Sequence, residues 1–309
     1  MQQFIEPKTL ARIKDLPLIA KTVAEGFLYG LQSSMQRGVG IEFNQYRAYE
    51  VGDELSRIDW KLFARSDRYF VREAKRESEI EVWFLLDASR SMLQTSSEKP
   101  QSSGKHNITW NKLDYAKYLI ASLGYLSQKQ GDVFGYLNLS DEKDATKNSL
   151  PGGNGEKHWQ KLMLSLSRTK PGVFFPELGF LQRQIEQLQK PSVIFLISDF
   201  NQHNNEIIEF LEKLNSSRSE VVAMQLTSDD ELKFNYKGPI RFKDLETRKE
   251  MLVSASSVKK SYLANYQRYQ DSLKRNLNER NITIERFNID QPLDSALFSY
   301  LQQRHRVAK

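Results

Sequence analysis

Cysteine is absent from this chain of 309 residues, so disulfide bonds and thiolate metal sites are excluded. Long apolar runs are also missing, and none approaches the roughly 18 residues that a membrane-spanning helix needs. The first residues, 1–7, lack the basic region and the apolar core of a secretory signal. We therefore expect a cytoplasmic protein without a membrane span.

Blocks of charge of one sign are missing as well. The formal net charge is +6, but Lys and Arg alternate with Asp and Glu nearly everywhere, as they do in residues 72–77. Proteins that bind nucleic acids concentrate positive charge in a patch or stripe. The mixed-sign pattern therefore predicts an ordinary charged surface and no nucleic-acid partner.

Several hydrolase motifs are not present in the chain. There is no G-x-S-x-G elbow and no H-E-x-x-H zinc motif, and the four histidines stand among polar neighbours: His106, His158, His203 and His305. Residues 151–157 are rich in Gly, but their spacing departs from that of a phosphate-binding loop, so we expect a flexible turn there. These absences favour a protein that is not an enzyme.

Residues 81–92 contain the strongest structural signal of the sequence. The apolar run 82–86 is too short for a helix and too continuous for a half-exposed strand, so it predicts a buried strand of a parallel sheet. Asp87, Ser89 and Ser91 follow this strand at alternate positions. Open α/β sheets bind ligands at the carboxyl ends of their strands, and short oxygen-bearing side chains suit a hard cation such as Mg²⁺.

A second apolar run, residues 193–197, ends two residues before Asp199. If the two strands are neighbours, Asp199 lies at the same sheet edge as Asp87, and two ionised carboxylates there would repel each other. Either a cation or hydrogen bonds from hydroxyl and backbone groups must relieve this repulsion. In the first alternative, Mg²⁺ is held by Asp87, Ser89, Ser91 and Asp199. In the second, Asp87 and the serines only cap the turn that follows the strand.

Strand and helix patterns alternate along the rest of the chain. Strands are predicted at 133–139, 220–226 and 282–287, and helices near 113–123, 159–166, 178–188, 207–214, 258–277 and 293–303. This alternation predicts an α/β fold with a doubly wound, mostly parallel sheet and helices on both faces. Alternating aromatic residues on both sides of Gly238 and Pro239 indicate a hairpin. A stripe of Tyr on the long helix 258–277 is expected to pack in the core rather than to stack on bases.

The N-terminal quarter has a different character. Residues 17–31 show helical spacing, and residues 38–67 combine Tyr, Trp, Arg and Asp with Gly-containing turns before a predicted strand at 69–73. We therefore divide the chain into residues 1–78, an N-terminal helical and β-rich extension, and residues 79–309, the α/β domain. The aromatic and charged residues of the extension either pack and pair within it or form a surface for a partner.

Several short motifs occur in a fixed order: Phe43, Tyr46-Arg47, Tyr49, Gly52-Asp53, Arg57-Ile58-Asp59-Trp60, Ala64-Arg65, Asp87-x-Ser89-x-Ser91-Met92 and Asp244-Leu-Glu-Thr247. This set resembles the bacterial domain-of-unknown-function 58 family. The Asp-x-Ser-x-Ser motif with the later Asp199 also resembles the metal-ion-dependent adhesion site of von Willebrand factor A domains. The resemblance implies that residues 79–309 have a von Willebrand factor A-like fold.

The same resemblance implies a function in protein binding. It suggests an adaptor or chaperone-like partner of AAA+ ATPases of the MoxR class, with other von Willebrand factor A proteins as further partners. Docking would use the adhesion-site edge, where an acidic side chain of the partner completes the shell of Mg²⁺. The chain departs from the pattern at one ligand, a Thr that such domains place just before the helix near residue 178. These positions hold Phe174, Phe175 and Pro176, and Thr169 lies several residues earlier in the chain. A water or Glu177 would therefore have to supply the missing ligand oxygen.

A metal-dependent hydrolase of phosphatase type, acting through the same Asp and Ser cluster, is the alternative function. Haloacid dehalogenase-type phosphotransferases carry Asp-x-Asp after a buried strand, but here Ser89 takes the place of the second Asp. The usual general acid is therefore missing, and this favours binding over catalysis. The polar stretch 93–107 is expected to be a mobile loop that leaves from the same edge.

Overall fold

The computed structural model describes residues 15–18, 20–24, 46–48, 70–72, 81–95, 111–141, 148–188, 190–202, 205–215 and 219–307. The chain divides into two compact units. One consists of Tyr29–Glu79, and the other combines Met1–Leu28 with Ile80–Lys309.

The N-terminal helical segment groups with the sheet unit, whereas the sequence pattern predicted one extension over residues 1–78. Ala20, Val23 and Ala24 of this segment are buried. The Lys21 ammonium lies 5.3 Å from the centre of the Trp159 ring. This contact and the burial of its apolar positions agree with the grouping of the segment with the sheet unit.

The smaller unit contains an antiparallel strand pair. Strand β1 (Tyr46–Ala48) pairs with β2 (Phe70–Arg72), with Arg47 opposite Val71. Strand β2 confirms the strand predicted at 69–73. The other aromatic and charged residues of the predicted extension, from Tyr49 to Asp67, lie outside the described residues, as does most of the predicted loop after residue 95.

The larger unit is built on a mostly parallel sheet. Its strands are β3 (Glu81–Asp87), β4 (Phe134–Leu139), β5 (Leu150–Gly153), β6 (Ser192–Ser198), β7 (Ser219–Thr227), β8 (Pro239–Lys243), β9 (Glu250–Ser254) and β10 (Thr283–Asn288). Six of them form one sheet in the order β10-β7-β6-β3-β4-β5, and only β5, at one edge, is antiparallel to its neighbour. Because β3 pairs with both β4 and β6, its carboxyl end lies in the middle of the edge.

Helices connect the strands and confirm the predicted α/β alternation. They are α1 (Lys112–Gln130), α2 (Glu156–Arg168), α3 (Leu178–Gln187), α4 (Glu206–Leu214), α5 (Asp229–Lys233), α6 (Ala255–Asn278) and α7 (Leu293–Val307). Among the helices that the structure describes, none has both the length and the apolar character that a membrane crossing requires.

Both faces of the sheet are covered by helices. Trp83 and Leu85 of β3 belong to an apolar cluster that includes buried residues of α3, α4 and α6. On the opposite face, the ring of Phe84 stacks on Phe195 at 5.9 Å between centroids, and Phe195 contacts Tyr300 of α7 edge-on. Alternate residues of β3 therefore pack into the cores on opposite faces of the sheet. This explains why the sequence of the strand is a continuous apolar run.

Two local predictions were wrong. Residues 151–157 are not a flexible turn, because Leu150–Gly153 form edge strand β5 and α2 begins at Glu156. An edge strand tolerates Pro, which lacks an N–H group, and Gly, because one side of the strand has no partner strand to bond. The hairpin does exist, but it pairs β8 with β9, and its turn is at Asp244–Thr247 rather than at Gly238. Asp244 Oδ1 accepts hydrogen bonds from the N–H groups of Glu246 and Thr247, which stabilises the turn there.

Candidate functional site

Asp87 ends strand β3 and is fully buried. Its Oδ1 accepts a hydrogen bond from the backbone N–H of Ser89 at 2.9 Å. Its Oδ2 accepts one from Ser198 Oγ, at the end of the neighbouring strand β6, at 2.6 Å. The carboxyl group thus closes the turn after its own strand and ties that turn to the next strand.

The serines continue this network to the second predicted acid. Ser89 Oγ and Ser91 Oγ are 2.9 Å apart, and Ser91 Oγ donates to Asp199 Oδ1 at 3.3 Å. The structure therefore brings together all four predicted site residues, Asp87, Ser89, Ser91 and Asp199. They meet because β3 and β6 are parallel neighbours that end at the same edge.

Asp199 makes further hydrogen bonds within the chain. Its Oδ1 accepts from the backbone N–H of Asn201 at 3.0 Å, and its Oδ2 accepts from Asn201 Nδ2 at 2.8 Å. Between them, Phe200 is buried and has a φ of 59°, a left-handed conformation that is unusual for an aromatic residue. Its carbonyl accepts a hydrogen bond from the Tyr269 hydroxyl of α6. This tight turn holds the Asp199 carboxylate over the end of the sheet.

The ammonium group of Lys112 also lies at this edge. Lys112 is the first residue of α1, and its side chain is 0% exposed. The Nζ atom donates to Gln94 Oε1 at 2.8 Å, to Asp199 Oδ2 at 3.2 Å and to Glu231 Oε1 at 2.8 Å. An ammonium group has three N–H donors, so each of them has an oxygen partner here.

Glu231 is held in place by its own helix. It occupies the third position of α5, directly after strand β7, in a capping box with Ser228. Its Oε2 accepts from the Ser228 N–H at 2.8 Å, while its Oε1 bonds to Lys112. Gln94 Nε2 also donates to Ser228 Oγ, at 3.4 Å. The network therefore joins the ends of three adjacent strands, β3, β6 and β7.

The electrostatics of the edge follow from burial and neighbouring charges. Burial, and then the charge of Asp199, raise the pKa of Asp87 to about 7, against the lowering effect of its hydrogen bonds from Ser198 and Ser89. Burial by itself lowers the pKa of the Lys112 ammonium. Asp199 and Glu231 more than offset this, so the pKa of Lys112 is raised and the group stays charged. The repulsion expected between Asp87 and Asp199 is thus relieved by hydroxyl groups, backbone N–H groups and an ammonium ion.

The residues at this edge do not fit Mg²⁺ as they are arranged. Mg²⁺ needs six oxygen ligands in near-octahedral geometry. Here both carboxylate oxygens of Asp87 and of Asp199 accept hydrogen bonds from within the chain, and one of them already faces the ammonium group. The described part of the chain contains no group of three or more acidic or His side chains placed to hold a metal ion.

Two residues bear on the missing Thr ligand: Thr169, which lies several residues early in the sequence, and Glu177, which was expected, as an alternative to a water, to fill the position. Thr169 is buried, and its Oγ1 is 2.7 Å from the Tyr136 hydroxyl and donates to the Ser165 carbonyl at 3.0 Å. The Thr169 hydroxyl is therefore already hydrogen-bonded at the C-terminal end of α2. Glu177 is exposed at the start of α3.

Sequence reasoning missed Lys112, Gln94 and Glu231. Two signals in the sequence point to Lys112 and to Glu231. A Lys in the first turn of a helix opposes the helix dipole, so it indicates acidic neighbours from elsewhere in the fold. The Ser228-x-x-Glu231 pattern after an apolar strand is a capping box, which places Glu231 at the carboxyl edge. Gln94 has no comparable signal.

A groove of about 770 Å³ opens beside the network. It is lined by residues from the turn after β3, the turn after β6, α5, the β8–β9 hairpin and α6: Ser91, Leu93, Gln94, Thr95, Asn201, Gln202, Asp230, Glu231, Phe234, Tyr236, Phe242, Lys243, Asp244, Leu245, Glu246, Tyr262 and Tyr269. Tyr262 and Tyr269 of the predicted core stripe are half-buried and form part of its wall. Phe234 packs between Tyr236 and Tyr262, with ring centroids 5.2 and 4.8 Å away.

These features define an α/β protein with a mostly parallel sheet and a buried Asp, Ser and Lys network at its carboxyl edge. The family model described as "Protein of unknown function DUF58" matches residues 45–272. The chain therefore belongs to this family, as the motifs predicted.

Similar proteins are known in mycobacteria. Uncharacterized protein Mb1516 of Mycobacterium bovis and Uncharacterized protein Rv1480 of Mycobacterium tuberculosis are each 26% identical to this chain over 248 residues, covering 78% of this chain and 72% of theirs.

Two solved structures have a weaker likeness. BatB from Bacteroides thetaiotaomicron is 14% identical with a TM-score of 0.40, covering 74% of this chain and 99% of that one. An aerotolerance-related membrane protein from Bacteroides fragilis is 16% identical with a TM-score of 0.39, covering 72% and 97%. Likeness at this level neither establishes a shared fold nor transfers a function.

Proposed function

We propose that this protein is a non-enzymatic adaptor or chaperone-like partner of a MoxR-class AAA+ ATPase, and that it docks through the carboxyl edge of its sheet. We also infer that the larger unit has a von Willebrand factor A-like fold. Membership of the DUF58 family supports both parts. The mostly parallel six-stranded sheet and the Asp-x-Ser-x-Ser turn after its central strand β3 support the fold.

The groove at the carboxyl edge is the observation that carries this proposal. Its wall contains the half-buried Tyr236, Phe242 and Tyr262, which pack on the buried Phe234, and Tyr is enriched among the residues that dominate the energy of protein interfaces. Its rim carries charged side chains of both signs, including Lys243 and Asp244. A half-buried aromatic wall with a charged rim is the composition expected of a protein-docking surface.

The state of the two carboxyl groups favours binding over catalysis. Asp87 is 0% exposed and Asp199 is 3% exposed, and every carboxylate oxygen accepts a hydrogen bond from within the chain. A general base or a nucleophile must reach an atom of the substrate at hydrogen-bonding distance. Neither Asp is placed to do so, and both act as parts of a structural network.

Binding of the full chain to a purified MoxR-class ATPase from the same genome tests the proposal. Biolayer interferometry would compare the wild type with Lys243→Glu and Leu245→Glu, two changes on the groove rim. We expect each change to weaken binding at least about tenfold, equivalent to about 1.4 kcal/mol. Lys161→Glu on α2 is the matched control, since Lys161 is exposed and does not line the groove, and it should bind as the wild type does.

Two results would contradict the proposal in different ways. Absence of binding by the wild type would refute the choice of partner. Wild-type affinity in both groove variants would refute the groove as the contact and point to the extension at residues 38–67 instead. Catalysis has a separate test, since metal-dependent turnover in a phosphatase panel would refute the non-enzymatic assignment.

A further inference from the structure

The Lys112 ammonium group is bound at the carboxyl edge in the way that proteins bind a cation. Its three oxygen partners come from three separate segments: Gln94 follows the 3-10 helix Arg90–Leu93, Asp199 follows β6, and Glu231 lies in α5. All three distances are 3.2 Å or shorter. The side chains of Lys112 and Asp199 are 0% exposed, and that of Glu231 is 14% exposed.

These partners are themselves held in place. Glu231 is fixed by the Ser228 N–H, and Gln94 donates to Ser228 Oγ. Asp199 is fixed by Asn201 and by Ser91. Lys112 is the first residue of α1, whose N-cap Asn111 accepts a hydrogen bond from the N–H of Asp114. The ammonium group therefore lies in a preformed cage, and each of its N–H groups is used.

A divalent cation at Asp199 would have to compete with this ammonium group. It would either lie within a few ångströms of a buried positive charge, or displace the Lys side chain and leave its charge without partners. Both arrangements are costly, because uncompensated charge in a buried setting is strongly unfavourable.

We infer that the ammonium group of Lys112 takes the structural role that a divalent cation has in metal-ion-dependent adhesion sites, so that this edge is ordered without a metal ion. The ammonium group gathers the ends of β3, β6 and β7 around one positive charge. Because its three N–H groups are already bonded, it offers no open position to a carboxylate of a partner. Docking at this edge is therefore independent of divalent cations, and it uses the neighbouring groove.

Metal titrations of the full-length protein test this inference without any partner. We expect no stoichiometric uptake of Mg²⁺ or Mn²⁺ at concentrations up to about 1 mM, measured by isothermal titration calorimetry and by the electron paramagnetic resonance signal of free Mn²⁺. A dissociation constant of about 1 mM corresponds to a binding free energy of about 4 kcal/mol. The melting temperature should be the same in EDTA and in excess Mg²⁺, because an ion that binds the folded state would raise it.

A variant without the ammonium group provides the opposite prediction. Lys112→Met leaves Asp199 and Glu231 without their cation, so its melting temperature should fall, and Mn²⁺ should then bind and restore part of the loss. Adding Asp199→Asn to this variant should abolish the gained Mn²⁺ binding. Lys117→Met is the matched control on the same helix, because among the described residues Lys117 donates to the Thr169 carbonyl and to no carboxylate, and it should gain no Mn²⁺ site.

Uptake of one Mn²⁺ per wild-type chain that is lost in Asp199→Asn would overturn the inference. A Lys112→Met variant that keeps the wild-type melting temperature and takes up no Mn²⁺ would also overturn it. If the single variant does not fold, the wild-type titrations decide alone. None of these results depends on whether the ATPase is the partner, so failure of this inference is distinguishable from failure of the proposed function.

Discussion

The substitution Lys112→Met removes a buried positive charge while keeping an unbranched side chain of similar length. The side chains of Lys112 and Asp199 are 0% exposed and that of Glu231 is 14% exposed, so solvent does little to screen these charges. Breaking a buried ion pair by removing one partner costs about 3–5 kcal/mol, because the remaining charge is left without compensation. Domains of this kind have unfolding free energies of about 5–15 kcal/mol, so the loss is a large part of the total.

Urea unfolding at pH 7, followed by circular dichroism, measures this loss in the free energy of unfolding. The double variant Lys112→Met/Asp199→Asn should recover part of the loss, because it also removes one of the uncompensated carboxylates. The wild type, Lys112→Met, Asp199→Asn and the double variant form a double-mutant cycle. Its interaction energy measures the coupling between Lys112 and Asp199. Lys117→Met should lose less, about 1.5–3 kcal/mol, the scale of one hydrogen bond from a charged donor.

Two results would refute this reasoning. If Lys112→Met lost no more stability than Lys117→Met, the ammonium group would not be holding the carboxylates. If the cycle gave an interaction energy near zero, Lys112 and Asp199 would act independently in spite of their 3.2 Å contact.

Two further predictions concern the same end of the sheet. The pKa of Asp87 is raised from 3.8 to about 7, so the folded state binds the proton of Asp87 more tightly than the unfolded state does. The stability that this proton contributes is fully present below pH 3.8 and is lost as the pH rises through about 7. Asp87→Asn should therefore lose stability less steeply than the wild type in urea unfolding between pH 5 and 8, and parallel curves would contradict the assignment. Gly172→Ala should lower the unfolding free energy by about 1–3 kcal/mol, because the new Cβ would lie 2.1 Å from Asp141 Oδ1, which accepts the N–H of the next residue. Gly179→Ala on α3 is the control, because its new Cβ would meet nothing within 4 Å, and it should be neutral or stabilising by up to about 1 kcal/mol. An equal loss of unfolding free energy in the two Ala variants would contradict the packing argument.

Much of the sheet was predictable because its strands are buried on both faces. Residues 82–86 and 193–197 read as continuous apolar runs, and the structure places them side by side as parts of β3 and β6. Strand β5 was missed, since residues 150–153 at an antiparallel edge carry Pro and Gly, which resemble a turn. The turn of the β8–β9 hairpin was misplaced because its stabilising contacts come from the Asp244 side chain rather than from Gly238.

The sequence by itself determined that Asp87, with Ser89 and Ser91, and Asp199 each follow a buried strand of a parallel sheet, so that they come together if the two strands are neighbours. The tertiary structure made β3 and β6 neighbours. Only the tertiary structure decided which cation they would meet. Lys112 reaches them from the first turn of α1, and Glu231 from the start of α5, and no local pattern specifies how far a helix end lies from a strand end. Packing of the helices on the sheet sets that distance, and with it a site built around an ammonium group.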